Sequence, residues 1–278
     1  MPPPARRRAR GILPGFHLSL GFSLAYLAIL LVIPLGACLM KAFSLSPSAF
    51  IAAVWTERAK AAYMLTFGTS FIAAIVNVPL GLLLAWILVR YRFPMQRLFD
   101  SIIDLPFALP TAVAGLVYSS LYVESGWLGR FLVPLGIQGA YSRLAIVMVL
   151  IFIGLPFVVR TVQPILEGLD AEIEEAAACL GATRWQTFLR VILPALYPAL
   201  VTGFALAFAR SLGEYGSVVF VSGNMPFKTE IAPRLIVDRL EEFAYAEATA
   251  IAVVLFAASF VMLALINTME RWSRRHEA

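Results

Sequence analysis

Between two long apolar stretches the chain reads Glu167-Gly168-Leu169-Asp170-Ala171-Glu172-Ile173-Glu174-Glu175-Ala176-Ala177-Ala178-Cys179-Leu180-Gly181, then Ala182-Thr183-Arg184-Trp185-Gln186-Thr187-Phe188-Leu189-Arg190-Val191-Ile192-Leu193-Pro194. Asp170 stands where an N-cap belongs. Glu172, Glu174 and Glu175 follow in the first turns, where a helix dipole favours negative charge. Ile173, Ala176, Ala177 and Leu180 recur with helical spacing and make one apolar stripe. Gly181 suits a left-handed helix stop. Thr183 and Gln186 are spaced for a capping box that opens a second short helix. Trp185, Phe188, Leu189 and Ile192 form its apolar face, and Pro194 is expected to stop it. The spacing predicts a helix-turn-helix outside the membrane, either packed on its own chain or docking a partner. Ala176, Ala177 and Gly181 are small enough for close approach, and Glu175 offers a carboxylate to a partner arginine.

The rest of the chain explains why this polar hairpin stands out. Of 278 residues, 60% are hydrophobic and 14% charged, against roughly 45–50% and roughly 25% in soluble domains. That balance excludes a disordered chain, a coiled coil and a disulfide scaffold, and it argues against a soluble enzyme. Lipid is the solvent. A bilayer core needs about 20 apolar residues per helix, and six stretches qualify: Leu18 to Leu39, Ala61 to Val89, Ile102 to Val123, Leu144 to Val162, Ala199 to Val221, and Tyr245 to Ile266. The expected fold class is an all-α polytopic membrane protein with six transmembrane helices. The N-terminal run also has features of a signal peptide, with a lipoprotein-like box at Leu35-Gly36-Ala37-Cys38. Its apolar stretch exceeds the about 7–15 residues of a signal h-region, so an uncleaved anchor is expected.

Lys plus Arg is 22 and Asp plus Glu is 17. In a membrane chain a basic excess reads as cytoplasmic loops rather than nucleic-acid binding. Arg6, Arg7, Arg8, Arg10, Arg90, Arg92, Arg97, Arg160, Arg184, Arg190, Arg271, Arg274 and Arg275 outnumber Lys41, Arg58, Lys60, Arg130, Arg143, Lys228, Arg234 and Arg239 on the other side. Both termini are therefore expected in the cytoplasm. Cys38 and Cys179 fall near opposite faces and are not expected to pair. His17 and His276 are the only histidines, so no metal site is expected. The chain's only Lys-Thr pair, Lys228-Thr229, follows Phe227 and lacks the glycine frame of a P-loop. Any ATP chemistry is left to another polypeptide.

Glu175-Ala176-Ala177, then Gly181, then Val191-Ile192-Leu193-Pro194 resembles the EAA loop of ABC importer permeases, with Val191 at a position that usually holds Ile. The resemblance implies a type I (MetI-like) permease. In that family this loop enters a groove of the ATPase subunit, so Glu175, Ala176, Ala177, Gly181 and Pro194 become the expected ATPase-coupling residues. It implies no cofactor in this chain, with ATP and Mg held by a partner ATPase dimer. Phe208-Ala209-Arg210-Ser211-Leu212-Gly213-Glu214-Tyr215-Gly216-Ser217, Lys228-Thr229-Glu230-Ile231-Ala232-Pro233, Leu240-Glu241-Glu242-Phe243, Ile266-Asn267-Thr268 and Pro106-Phe107-Ala108-Leu109-Pro110-Thr111-Ala112-Val113-Ala114-Gly115 resemble tetrahedral-oxyanion permeases. They look most like the T-type subunit of the sulfate/thiosulfate importers, with molybdate or tungstate permeases as the alternative. That resemblance further implies a second, W-type permease subunit, a periplasmic sulfate/thiosulfate-binding protein and a bacterial inner-membrane location.

Physical chemistry narrows the candidates inside the spans. A divalent anion is costly to desolvate. Arg210 and Glu214 lie four residues apart and are placed to neutralise each other, either as a structural lock or beside the anion. Ser211, Ser217 and Thr111 offer hydroxyls, unless they bond back to their own helix. Pro106, Pro110, Asn77 and Pro79 interrupt backbone, which at membrane depth is either packed or lines a cavity. Gly81, Gly115, Gly203 and Gly213 are expected at close helix contacts. The expected organisation is a basic tail over 1–17, a permease domain over 18–267 with its core over 61–267 and coupling loop over 167–194, and a tail over 268–278. A self-sufficient secondary transporter needs coupling-ion carboxylates within the spans, and only Glu214 qualifies. A membrane enzyme needs converging acids, histidines or cysteines, which the sequence does not offer.

Overall fold

The computed structural model describes residues 15–274. The basic run Arg6, Arg7, Arg8 and Arg10, on which the expected orientation partly rests, lies outside the described residues, as do Arg275 and His276. Among the described residues the chain is all-helical. In order the elements are α1 (Phe16–Leu27), continued through a π-turn into α2 (Ile33–Ala42), α3 (Pro47–Val54), α4 (Glu57–Arg90), α5 (Gln96–Ile103), α6 (Leu105–Ala108), α7 (Thr111–Tyr122), α8 (Gly129–Leu132), α9 (Arg143–Glu167), α10 (Ala171–Cys179) and α11 (Arg184–Thr187). A second π-turn, Phe188–Ile192, leads into α12 (Leu193–Leu212), followed by α13 (Val218–Val221), α14 (Ala232–Glu241) and α15 (Tyr245–Arg274).

Among the described residues five helices are long and apolar enough to cross a bilayer: Leu18–Ala42, Glu57–Arg90, Arg143–Glu167, Arg184–Leu212 and Tyr245–Ile266. The third expected span is broken instead. Leu109 precedes Pro110 and is extended (φ −82°, ψ 134°), as the proline ring demands of its predecessor. Asp104 bends the chain just before Pro106. The 12 residues left in α7 span only about 18 Å at 1.5 Å per residue, short of the roughly 30 Å hydrocarbon layer. The fifth span also ends early, at Leu212, and α13 carries the chain on after a bend at Gly213.

Pro194 does not stop the preceding helix. It sits in the first turn of α12, and the run from Arg184 to Leu212 stays helical through the π-turn. The Leu193 N–H bonds to Phe188 O, five residues back. That wider turn gives the proline room where an α-helix would clash.

The centre of the fold is α4, α9 and α12 in mutual contact. Buried positions on α4 are mostly small: Ala59, Ala62, Thr66, Ser70, Ala73, Ala74, Gly81 and Ala85. Between membrane helices, close approach and dispersion replace the hydrophobic effect, so small residues are the adhesive surface. A Cβ on Gly81 would lie 2.6 Å from Val158 Cγ1, and one on Gly203 would lie 3.0 Å from Val158 Cα. Gly213, where a close helix contact was expected, would instead give an added Cβ nothing to meet within 4 Å among the described residues. It serves the bend. Thr66 Oγ1 accepts from the Ala232 N–H at 2.8 Å and so satisfies the start of α14. The α1–α2 helix lies outside this bundle and packs against α15 through α2.

Candidate coupling surface and interrupted helices

The α10–α11 hairpin forms as its residues dictate. Asp170 holds the N-cap position in extended backbone but makes no side-chain cap bond. At the other end Gly181 has φ +82°. The Gly181 N–H bonds to Ala178 O and the Ala182 N–H to Ala177 O, at 2.9 and 3.0 Å. This paired closure needs a residue at positive φ, which glycine adopts without strain. The capping box is complete: the Gln186 N–H donates to Thr183 Oγ1 at 3.3 Å, and the Thr183 N–H donates to Gln186 Oε1 at 2.8 Å.

The predicted apolar stripe is not buried against the chain's own helices. Leu180 is 89% exposed and Ile173 46%. Glu175 and Ala176 are exposed and Ala177 half-buried. Glu174 points the other way and pairs with Arg90, the last residue of α4, whose guanidinium also lies 5.4 Å from the Trp86 ring centroid. One acid of the run therefore anchors α10 to the bundle while its neighbour stays free. Inside the hairpin's angle, Ala177, Leu180, Gly181, Gln186, Arg190 and Val191 line a cleft of about 380 Å³. Cys38 and Cys179 are both free, as expected.

At the far end of α12, Arg210 Nη1 meets Glu214 Oε2 at 2.7 Å. Glu214 has passed the helix end, yet its side chain is only 2% exposed, against 34% for Arg210. Its other oxygen accepts from the Ser217 N–H and Oγ, both at 2.9 Å. The carboxylate is fully engaged in holding the Gly213–Ser217 bend. Ser211 is buried, and its hydroxyl finds no partner among the described residues, so it does not back-bond. The bend docks against α7. A Cβ on Gly115 would lie 2.4 Å from Ser217 O, and one on Gly216 would lie 2.2 Å from Thr111 Oγ1. Ser119 Oγ donates to Phe220 O at 2.8 Å. Thr111, Ser217, Arg210 and Glu214 are thus brought to one place where two interrupted helices meet. Pro110 stays exposed at its rim.

Two further polar clusters were not singled out from sequence. At the Glu214 end, Arg58 of α4 donates Nε to Glu230 Oε2 at 2.8 Å and Nη2 to Asp238 Oδ2 at 2.7 Å. Arg234 pairs with Asp238 at 2.7 Å. Burial lifts the Asp238 carboxyl above its ordinary value, against the pull of Arg234. At the α10 end, Arg160 of α9 binds Asp100 and Asp104. The partners lie far apart in sequence, and only the helical topology brings them together. Among the described residues no group of three or more His, Cys, Asp or Glu is placed to hold a metal.

Comparison with known proteins gives a consistent picture. A family model described as a binding-protein-dependent transport system inner membrane component matches residues 77–276. A protein of Escherichia coli (strain K12) named sulfate transport system permease protein CysT is 50% identical over 268 residues, covering 96% of this chain and 97% of that protein. Its namesake in Synechocystis is 49% identical over 254 residues, covering 91% and 89%. Among solved structures, a chain of a bacterial ABC transporter that imports the acidic polysaccharide alginate superposes with a TM-score of 0.77 at 19% identity, over 92% of this chain and 94% of that one. A methionine ABC transporter, MetNI, in inward-facing conformations aligns at a TM-score of 0.57, 18% identity, over 82% and 99%.

Proposed function

Because the chain belongs to the family of binding-protein-dependent transport system inner membrane components, we propose that it is the membrane-spanning permease subunit of an ABC importer for sulfate and thiosulfate. The observation that carries the substrate is the half-identity to sulfate permeases over almost the whole chain. The exposed face of α10 supports the coupling role. Glu175, Ala176, Ala177 and Gly181 leave a small-residued surface with one unpaired acid, suited to a groove bearing arginine.

In this reading the working assembly contains this chain, a second W-type permease, two ATPase subunits that bind ATP and Mg, and an extracytoplasmic anion-binding protein. Both termini and α10 face the cytoplasm of the inner membrane. The binding protein meets the opposite end, around Glu124–Arg130 and Gly223–Arg239. Closure of the ATPase dimer moves α10, and α9 and α12 carry that motion into the bundle, shifting it between two packed states. This chain makes and breaks no bonds. The Arg210–Glu214 pair is read as a lock on the α12–α13 bend, since the carboxylate is saturated by Arg210 and Ser217 and leaves no net positive cage to trap a dianion.

Labelled sulfate uptake in a sulfate-uptake-deficient strain, with molybdate as competitor, tests the assignment. Uptake restored by this chain with its partner subunits, and unaffected by molybdate, is the expected result. Uptake blocked by equimolar molybdate would reassign the substrate to molybdate or tungstate. Absence of sulfate uptake would remove the assignment.

A further inference from the structure

The broken third span raises a mechanical question. A helix that crosses the bilayer unbroken moves as a rod, whereas α5 and α6 are short pieces separated from α7 by Pro110. Something must carry displacement of the bundle into them. The contacts converge on one side chain. Arg160, on the α10 half of α9, donates Nε to Asp104 Oδ1 at 2.9 Å and Nη2 to Asp104 Oδ2 at 2.6 Å, a two-pronged grip. Nη1 reaches Asp100 Oδ1 at 2.6 Å, and Nη2 also reaches Asp100 O at 2.8 Å. That carbonyl is freed by the break itself. The Asp104 N–H, its partner in a continuing α-helix, bonds to Ser101 O instead. Arg160 therefore caps the end of α5 and clamps the corner before α6. One turn away on the same face, Phe157 meets Phe107 of α6 edge-on at 5.1 Å.

The other side of Arg160 leads to the hairpin. Nη1 donates to Gln163 Oε1 at 2.7 Å, and Gln163 Nε2 donates to Glu167 Oε1 at 3.2 Å. Glu167 is the last residue of α9, directly before Gly168–Asp170 and α10. A line of polar contacts thus runs from the foot of α10, along α9, into the broken segment that ends at Pro110 and Thr111.

We propose that Arg160 is a positioning residue for transport, the tie through which movement of α9 and α10 reaches α5–α6 and, beyond Pro110, the edge of α7. The proposal rests on the reading of this chain as an ATPase-driven sulfate permease. Both carboxylates and the guanidinium are between 31% and 45% exposed, so the tie is strong in geometry yet costs little to re-form as the segment shifts. A lysine at this position keeps the charge but loses the fork that holds two acids and a carbonyl at once.

The test uses the complete importer in proteoliposomes, with wild type, Arg160→Gln and Arg160→Lys. Sulfate uptake and ATP hydrolysis are measured with and without sulfate-loaded binding protein. Arg160→Gln should assemble and keep basal hydrolysis within about twofold, while stimulated hydrolysis and uptake fall about tenfold, with Arg160→Lys in between. Wild-type stimulation in Arg160→Gln would overturn the tie. Failure of both variants to assemble would also overturn it, making Arg160 a packing residue. A wild-type complex that hydrolyses ATP but moves no sulfate would overturn the functional reading itself, an outcome visible without any variant.

Discussion

The two ends of the bundle use the same chemistry at different depths. At the Glu214 end, the Arg58 fork grips Glu230 and Asp238, whose side chains are 2% and 17% exposed. At the α10 end, the Arg160 fork grips Asp100 and Asp104, which are 39% and 45% exposed. A buried carboxylate that loses its arginine is stranded without solvent, whereas a half-exposed one exchanges its partner for water. The first arrangement fixes helices in place and the second lets them move. The fold is accordingly expected to be pinned where α4 and α14 meet, and hinged where α9 holds α5 and α6.

Breaking the pinned end should have the largest effect on stability. Arg58→Gln strands the Glu230 carboxylate, which is only 2% exposed, and should cost about 3 kcal/mol, the low end for a broken buried pair. Thermal unfolding of the detergent-solubilised protein reads this directly, and an unchanged melting temperature would erase the distinction between the ends. Gly115→Ala comes next, at roughly 1–3 kcal/mol, because the new methyl would meet the Ser217 carbonyl oxygen, which is backbone and cannot swing away. Gly213→Ala, which faces open space, is the control expected to lie within about 0.5 kcal/mol.

These contrasts also show what a sequence can reveal. Much that is set by neighbours a turn or two away was legible: the Gly181 stop, the Thr183–Gln186 box, the Arg210–Glu214 pair and five of the apolar spans. The third span was legible as an apolar stretch that Pro106 and Pro110 interrupt, but hydropathy did not show that only α7 continues as an unbroken helix. Pro194 misled in the opposite sense, since a π-turn absorbed it. Arg58–Glu230 and Arg160–Asp104 were out of reach because residues far apart in the chain meet only once α4, α9 and their neighbours have packed. The sequence pattern marked each as a charged residue near a span end and no more.

The hinged end should respond little in stability. Arg160→Gln is expected to change unfolding free energy by less than about 1 kcal/mol, although transport should suffer far more. Raising ionic strength should mimic part of that loss, since exposed pairs are screened and buried ones are not. The smallest effect concerns pH. Asp238 is held above its ordinary value by burial. Its folded form therefore binds the proton more tightly than its unfolded form, and stability falls as pH rises through the window just above the ordinary value of 3.8. Asp238→Asn should flatten that part of the stability–pH curve. A curve as steep as wild type would assign the slope to another group.

Coupled transport requires that α10 be grasped by a separate nucleotide-hydrolysing subunit. The most direct measurement is site-specific crosslinking from Ala177→Cys in membranes that are actively importing sulfate. The expected result is a crosslinked band containing this chain and the ATPase, with an intensity that changes when ATP is added and that disappears in Glu175→Arg together with uptake. Full uptake by Glu175→Arg, or crosslinks that reach only lipid or this chain itself, would contradict it.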